Sequence, residues 1–237
     1  MSGERPMLRA AGTTASSVGT VAALLLIPAG LVPGGAWIWP HGLALVAAYG
    51  IVIGAGNLSL ATWRPAHFEV RQQPVIAARE KGQPPIDAVG AAGLLAMGAA
   101  WLIFIPLDVF RLHLLPPPAA WVSLSGIAAV GVGAALTPLA VWENRFATPN
   151  VQQQAGQIIV CTGVYRLIRH PIYLGNLLLT AGTSLWLGSY ASLWGFAVLL
   201  LATIGRIAIE ERDLRARAPE YAAYVKQVPA RLIPFVI

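Results

Sequence analysis

Charge is what this chain has least of. Only 11% of its 237 residues are Asp, Glu, Lys or Arg, against about 25% in a typical soluble domain. The shortage is also uneven. Between Arg9 and Arg64 lie 54 residues without a charged side chain, and further runs cover Ala88–Leu107 (20), Leu112–Trp142 (31) and His170–Gly205 (36). A soluble core has no use for such runs. There is a single cysteine, Cys161, which excludes an internal disulfide and any zinc cluster built on several thiolates, so no metal site is expected. The strict alternation of a lipid-facing barrel is missing too.

What is present is 57% hydrophobic sequence in stretches of membrane length, since a spanning helix needs about 20 apolar residues. The first and last runs are too long for one helix. Pro33-Gly34-Gly35 through Pro40 divides the first, and Gly188-Ser189-Tyr190 divides the last. Six spans result, at 15–32, 41–62, 88–107, 119–142, 171–187 and 190–209. Backbone polar groups in lipid must be satisfied within the segment, so the expected fold is an all-α integral membrane protein of about six transmembrane helices.

Lys and Arg fix the orientation. With six spans, fifteen of the sixteen fall on one side, and only Arg111 on the other. Both termini are therefore expected to be cytoplasmic, in a membrane of the bacterial inner type. Trp37, Trp39, Trp121, Trp186 and Trp194 fall near the outer interface and Trp63 and Trp142 near the inner one, as amphipathic indoles prefer; Trp101 falls nearer mid-bilayer and does not fit. The net charge of +6 follows from this topology and suits anionic lipid headgroups, with no nucleic acid expected as a partner. Arg5 and Arg9 ahead of an apolar stretch also resemble a signal peptide, but no small-x-small cleavage site stands out.

Polar chemistry concentrates in three pieces on the basic side. Connection 63–87 reads as a solvated loop or a lid. Connection 143–170 opens with Glu143-Asn144-Arg145, passes through a Gln-rich stretch and ends in Tyr165-Arg166-Leu167-Ile168-Arg169-His170-Pro171-Ile172-Tyr173. Pro171 suits the first position of a helix. It forces His170 out of the α region, and the helix start behind it is a natural cradle for an anionic or carbonyl group. The third piece is Arg206-Ile207-Ala208-Ile209-Glu210-Glu211-Arg212-Asp213-Leu214. Arg206 and Glu210 share a face, either as an ion pair at a helix exit or as functional residues near membrane depth. The 211–227 stretch reads as a surface helix on the inner leaflet, interrupted at Pro219.

Gly163-x-Tyr165-x-x-x-Arg169-His170-Pro171-x-Tyr173-x-Gly175, Arg206-x-x-x-Glu210-Glu211-x-x-Leu214, Tyr221-x-x-Tyr224 and a basic segment closing at Pro234 together resemble the isoprenylcysteine carboxyl methyltransferase family, which extends to phospholipid N-methyltransferases. The resemblance is specific over 143–237 and absent over the first two spans. It divides the chain into a family-variable helical pair and loop at 1–87 and a methyltransferase core at 88–237. It implies S-adenosylmethionine as methyl donor and a lipophilic acceptor entering from the bilayer. Carried over residue by residue, it implies that Gln157, Ile158, Ile159, Val160, Tyr165, His170, Pro171, Ile172 and Tyr173 line the donor pocket. Glu210 would hold the donor's polar end, Arg206 would face the acceptor, and a further donor contact would fall among Asn150, Gln152 and Gln154. His170 would act as a base for an amine or thiol acceptor, or as a structural residue before proline. Two alternatives compete: an NADPH-dependent lipid reductase of the sterol type, which would need more cations around Tyr165–Pro171 than Arg166 and Arg169, and a non-catalytic membrane protein.

Overall fold

The computed structural model describes residues 4–72, 85–144, 146 and 158–233, and all regular structure among them is helical. α1 (Glu4–Leu31) ends at a Pro33-Gly34 turn, where Gly34 takes φ 84°. α2 (Pro40–Trp63) starts on a proline and stops two residues before Pro65, which opens the short α3 (Pro65–Arg71). α4 (Pro85–Leu107) passes into a π-helical turn, Asp108–Leu112. α5 (Ala120–Glu143) follows three consecutive prolines. α6 (Pro171–Trp186) and α7 (Leu193–Arg217) form a hairpin, and α8 (Tyr221–Gln227) closes the described chain.

Five of these helices, α1, α2, α4, α5 and α7, are long and apolar enough to cross a membrane. The span expected at 171–187 is instead a helix of 16 residues. At about 1.5 Å per residue it covers about 24 Å, less than a hydrocarbon core of about 30 Å. α6 therefore depends on its neighbours for its depth.

α5 and α6 lie antiparallel with their backbones in contact. A Cβ added at Gly126 would come within 2.8 Å of the Gly182 carbonyl, and one added at Gly133 within 2.6 Å of the Gly175 carbonyl. The two pairs stand seven residues apart on both helices, so one stripe of glycine on each makes the seam. Close approach of this kind is how helices associate in lipid, where the hydrophobic effect gives no reason to prefer a neighbour over a lipid tail.

At the end opposite the basic residues, α4 is tied to the α6–α7 turn. Asp108 is buried, accepts a 2.6 Å hydrogen bond from the Ser189 hydroxyl and accepts another from the Leu114 amide. Trp101 donates its indole N–H to the Ser192 carbonyl, and Trp186 donates to the His41 carbonyl at the start of α2. These bonds explain the Trp101 misfit. Its indole is satisfied by protein at the hairpin turn and lies over Gly195, where a Cβ would sit 2.3 Å from the ring. Trp37 and Trp121 are exposed as interfacial residues should be, while Trp63 packs edge-on to Trp142 under the Arg64 guanidinium.

Two expectations need correction. Residues 211–217 are not part of a surface helix: α7 runs on to Arg217, and the break falls at 218–220, around Pro219. The separate α8 turns Tyr221 and Tyr224 into protein, where Leu214, Ala218 and Val225 pack around them. The apolar face read as lipid-facing is satisfied internally. Connection 63–87 is not a plain loop either, because α3 buries Phe68 against Leu60, Ala61 and Val141. Residues 73–84, the remainder of the expected lid, lie outside the described residues.

The seam makes a testable distinction between glycines. Gly182→Ala should cost about 1–3 kcal/mol by overpacking, seen as a lower melting temperature in detergent. Gly131→Ala, which meets nothing within 4 Å, should change stability by less than about 0.5 kcal/mol. Equal effects would show that the seam is not where α5 and α6 are held.

Candidate active site

The approach to α6 is shaped by backbone constraints. Gly163 adopts φ +53°, and a Cβ there would lie 2.5 Å from the Glu143 carboxyl carbon. Only glycine fits, and it brings Thr162 close enough to donate its hydroxyl to Glu143 at 2.8 Å. A 3-10 turn, Gly163–Arg166, then buries Tyr165, whose carbonyl accepts the Tyr224 hydroxyl at 2.8 Å. His170 sits at φ −124°, ψ 61°, outside the α region as a residue before proline must be, and Pro171 opens the helix. No side chain caps the α6 N-terminus.

The C-terminal segment runs beside this approach like a strap. The Arg169 amide donates to the Ala230 carbonyl and the His170 amide to Arg231. The Arg169 guanidinium adds bonds to the Val228 and Pro229 carbonyls at 2.6 and 2.7 Å. Its Nε and Nη2 both reach Glu211 Oε1 at 2.9 Å, with both side chains 4% exposed. His170 Nε2 lies 3.3 Å from the same oxygen. Arg231 and Arg215 approach the other carboxylate oxygen at 3.3 and 3.5 Å from more exposed positions. The solvated pairs contribute little. The Arg169–Glu211 pair is different, because a lone charge there would have neither water nor a partner.

Glu210, one residue earlier, points elsewhere. It accepts the Tyr173 hydroxyl at 2.8 Å, and Arg206 meets the same hydroxyl. The Tyr173 ring stacks on His170 at 5.6 Å. His170, Tyr173, Arg206 and Glu210 are thus one contiguous group across the α6 and α7 ends. Pro171 is buried beneath it. Ile172 turns the opposite way, onto the cluster that holds Phe68 and Val141. Ile158 is exposed, Val160 is half-buried, and Ile159 packs on the Tyr221–Tyr224 cluster. Gln157, Asn150, Gln152 and Gln154 lie outside the described residues. Burial and the nearby Glu211 push the Tyr221 phenol up to about 12, and burial raises Tyr224 as well. Both remain neutral hydrogen-bond donors at ordinary pH.

The sequence reading missed Arg169 and Glu211 as a unit, although both stand inside the quoted motifs. A signal was available. Adjacent residues on a helix point about 100° apart, so Glu210 and Glu211 cannot serve one partner. Tyr224 was quoted as a motif residue without a role, and its role is to hold the turn that carries Tyr165.

Residues 121–217, from the start of α5 to the end of α7, match the phospholipid methyltransferase family model. Protein-S-isoprenylcysteine O-methyltransferase B of Arabidopsis thaliana is 31% identical over 121 residues, 49% of this chain and 61% of that protein. The chain is similar to these methyltransferases over its C-terminal half, and spans less than two thirds of the Arabidopsis relative's length. Its fold agrees with the solved structure of isoprenylcysteine carboxyl methyltransferase, the eukaryotic intramembrane Ras methyltransferase. The likeness has a TM-score of 0.50 at 20% identity and covers 96% of this chain and 77% of that one. With five apolar helices of spanning length, this is an integral membrane protein.

Arg169→Met and Glu211→Gln should each cost about 3–5 kcal/mol, because each strands the other's buried group. The double substitution should cost clearly less than the two losses combined. Denaturation of all three variants measures this, and strictly additive losses would mean that the two side chains do not act as a pair.

Proposed function

We propose that this protein is an S-adenosylmethionine-dependent methyltransferase acting on a lipophilic acceptor at the cytoplasmic face of the membrane. The observation that carries the reading is the Tyr173–Glu210 contact beside Arg206, at the uncapped start of α6. When bound, S-adenosylmethionine supplies an electrophilic methyl group on a sulfonium, which leaves as a neutral thioether while a C–S bond breaks and a bond to the acceptor forms.

The residues present fit such a donor. Glu210 is a carboxylate suited to the donor's ammonium group. The N-terminus of α6, opened by Pro171, offers the main-chain N–H groups of Ile172 and Tyr173 and positive potential to its carboxylate. The faces of Tyr165 and Tyr173 tolerate a sulfonium through cation–π attraction. In this reading Ile158, Ile159 and Val160 supply the upstream wall, and Gln157, the residue before them, lies outside the described residues. Arg206 orients an acceptor carboxylate through its planar fork. A carboxylate already carries the electron pair for the new bond, so no base is required. His170, engaged by Glu211 at 3.3 Å, then holds the Tyr173 ring rather than moving a proton.

In this reading the acceptor is an isoprenylcysteine-type carboxylate or similar lipophilic group reaching the site from the bilayer. Membrane lipids are the surrounding partners. The proposed division is a family-variable part at 1–87 and a methyltransferase core at 88–237, and the matched residues 121–217 fall within the second.

Orientation is tested by cysteine accessibility in a Cys161→Ser background in a bacterial inner membrane. Trp37→Cys and Leu115→Cys should be labelled only from outside, and Glu220→Cys only from inside. Labelling of Glu220→Cys from outside would reverse the assignment.

Donor affinity and methyl-transfer rate separate the two charged neighbours. Glu210→Gln should weaken binding of the donor and of its demethylated product by about 1–3 kcal/mol, the range for a charged hydrogen bond left unmade. Arg206→Met should leave donor affinity nearly intact while turnover collapses. Calorimetry on detergent-solubilised protein, with turnover measured by label transfer, provides both quantities. Saturable NADPH binding with none of the methyl donor would replace this function with a reductase.

A further inference from the structure

α2 and α5 meet along a groove that is separate from the hairpin carrying Tyr173 and Glu210. Gly56 and Pro138 form its floor, where a Cβ added to the glycine would stand 3.1 Å from Pro138 Cβ. Val52, Ile53, Leu60 and Val141 wall a notch of about 50 Å³ above it. Two polar residues also line the notch, and both turn their polar groups into protein. Asn57 donates to the Thr14 hydroxyl at 3.0 Å. The Thr137 hydroxyl is buried, 3.3 Å from where a Cβ of Gly175 would lie on α6. What the groove offers is aliphatic surface.

At the end nearer the candidate site the groove stops at a cation. Arg64 stands one helical turn beyond Leu60 and donates its amide to the Leu60 carbonyl at 2.8 Å. Trp142 follows Val141, and the Arg64 guanidinium lies 5.1 Å from its ring centroid, so the pair bridges α2 and α5 just past the notch. Trp63 is exposed and packs edge-on to the same indole. Indoles in such a position belong to the membrane–water interface, which sets the depth of Arg64. Among the described residues Arg64 forms no ion pair. A guanidinium over an indole still presents N–H donors to a phosphate. From Arg64 to Val52 is about 18 Å at about 1.5 Å per residue, and one leaflet of hydrocarbon is about 15 Å deep.

We infer that the α2–α5 groove is a binding site for an anionic phospholipid, with its phosphate at Arg64 and one acyl chain laid along residues 52–60. Charge and depth select this occupant. A fixed cation at headgroup level favours a lipid of net negative charge over a zwitterionic one, which carries its own cation. The notch is too small for the side-chain ridge of another helix, yet it takes the methylenes of a chain. The inference does not rest on the proposed methyl transfer, whose acceptor belongs at the Arg206 end. It does have a consequence for that end. Leu60 and Val141 wall the groove and also enclose Phe68, and Ile172 at the start of α6 packs on the same cluster. A lipid seated in the groove braces that cluster from its membrane side.

The test uses the full chain in nanodiscs containing dioleoyl phosphatidylglycerol or dioleoyl phosphatidylcholine, each spiked with the same lipid bearing a diazirine in one acyl chain. Phosphatidylglycerol adducts should map to peptides containing Ile53 or Pro138. In native mass spectrometry of protein released from mixed discs, phosphatidylglycerol should be retained over phosphatidylcholine on the order of tenfold, as a charge-assisted contact implies. Arg64→Gln should bring that ratio close to one, whereas Lys226→Gln, which removes an exposed cation elsewhere on the basic side, should leave it unchanged. Ile53→Trp should abolish the adducts by filling the notch. Adducts spread over lipid-facing positions such as Leu95 and Leu201, equal retention of the two lipids, or equal losses in Arg64→Gln and Lys226→Gln would overturn the proposal. The adduct map of the unsubstituted protein decides the matter even where a variant fails to fold.

Discussion

The buried pair between Arg169 and Glu211 is the interaction on which the end of this protein that carries the candidate site depends. Arg169 belongs to the approach to α6, Glu211 to the end of α7, and the carbonyls that complete the guanidinium's bonding belong to residues 228–229. One ion pair therefore fixes three separate stretches of chain. Its worth is not net stability, since the cost of removing both charges from water offsets much of their attraction. It acts instead as a register device. Any arrangement that separates the three stretches strands a charge at a few per cent exposure.

Lipid makes such devices necessary. Between helices in a bilayer the hydrophobic effect supplies no preference for protein over tails, so close backbone packing and polar contacts decide which helices meet. The structure uses each in a different place. Glycine pairs bring α5 and α6 into backbone contact along their length. Asp108, Ser189 and Trp101 fasten α4 to the hairpin turn at one end, and the Arg169–Glu211 cluster fastens the hairpin's other end. α6, too short to span unaided, is held on both ends and along one side.

The sequence made the gross architecture legible because the signals involved are those of solvent: charge-free runs, proline and glycine breaks, and basic residues gathered on one side. It made the motif residues legible because they fall in linear order. It did not expose contacts that depend on three-dimensional register. Gly126 with Gly182 and Gly133 with Gly175 are ordinary membrane glycines until the helices are antiparallel. Asp108 reads as the charge that ends an apolar run, and only its 2.6 Å bond to Ser189 shows it to be a buried latch. The 211–227 stretch was misread because an apolar stripe looks the same whether lipid or a tyrosine cluster covers it.

The neighbours Glu210 and Glu211 show how the fold sends one motif into two environments. A helix turns about 100° per residue, so consecutive carboxylates look into different surroundings. Glu211 looks toward the strap and is saturated by cations, which leaves it little capacity for a ligand. Glu210 looks along the hairpin to Tyr173 and Arg206, where its hydroxyl partner is neutral and exchangeable. A one-residue slip of α7 against α6 would move each carboxylate by about 1.5 Å and about 100°, placing Glu211 toward Tyr173 and stranding Arg169. The buried pair penalises that slip directly. The saturated carboxylate thereby holds the adjacent one beside Tyr173.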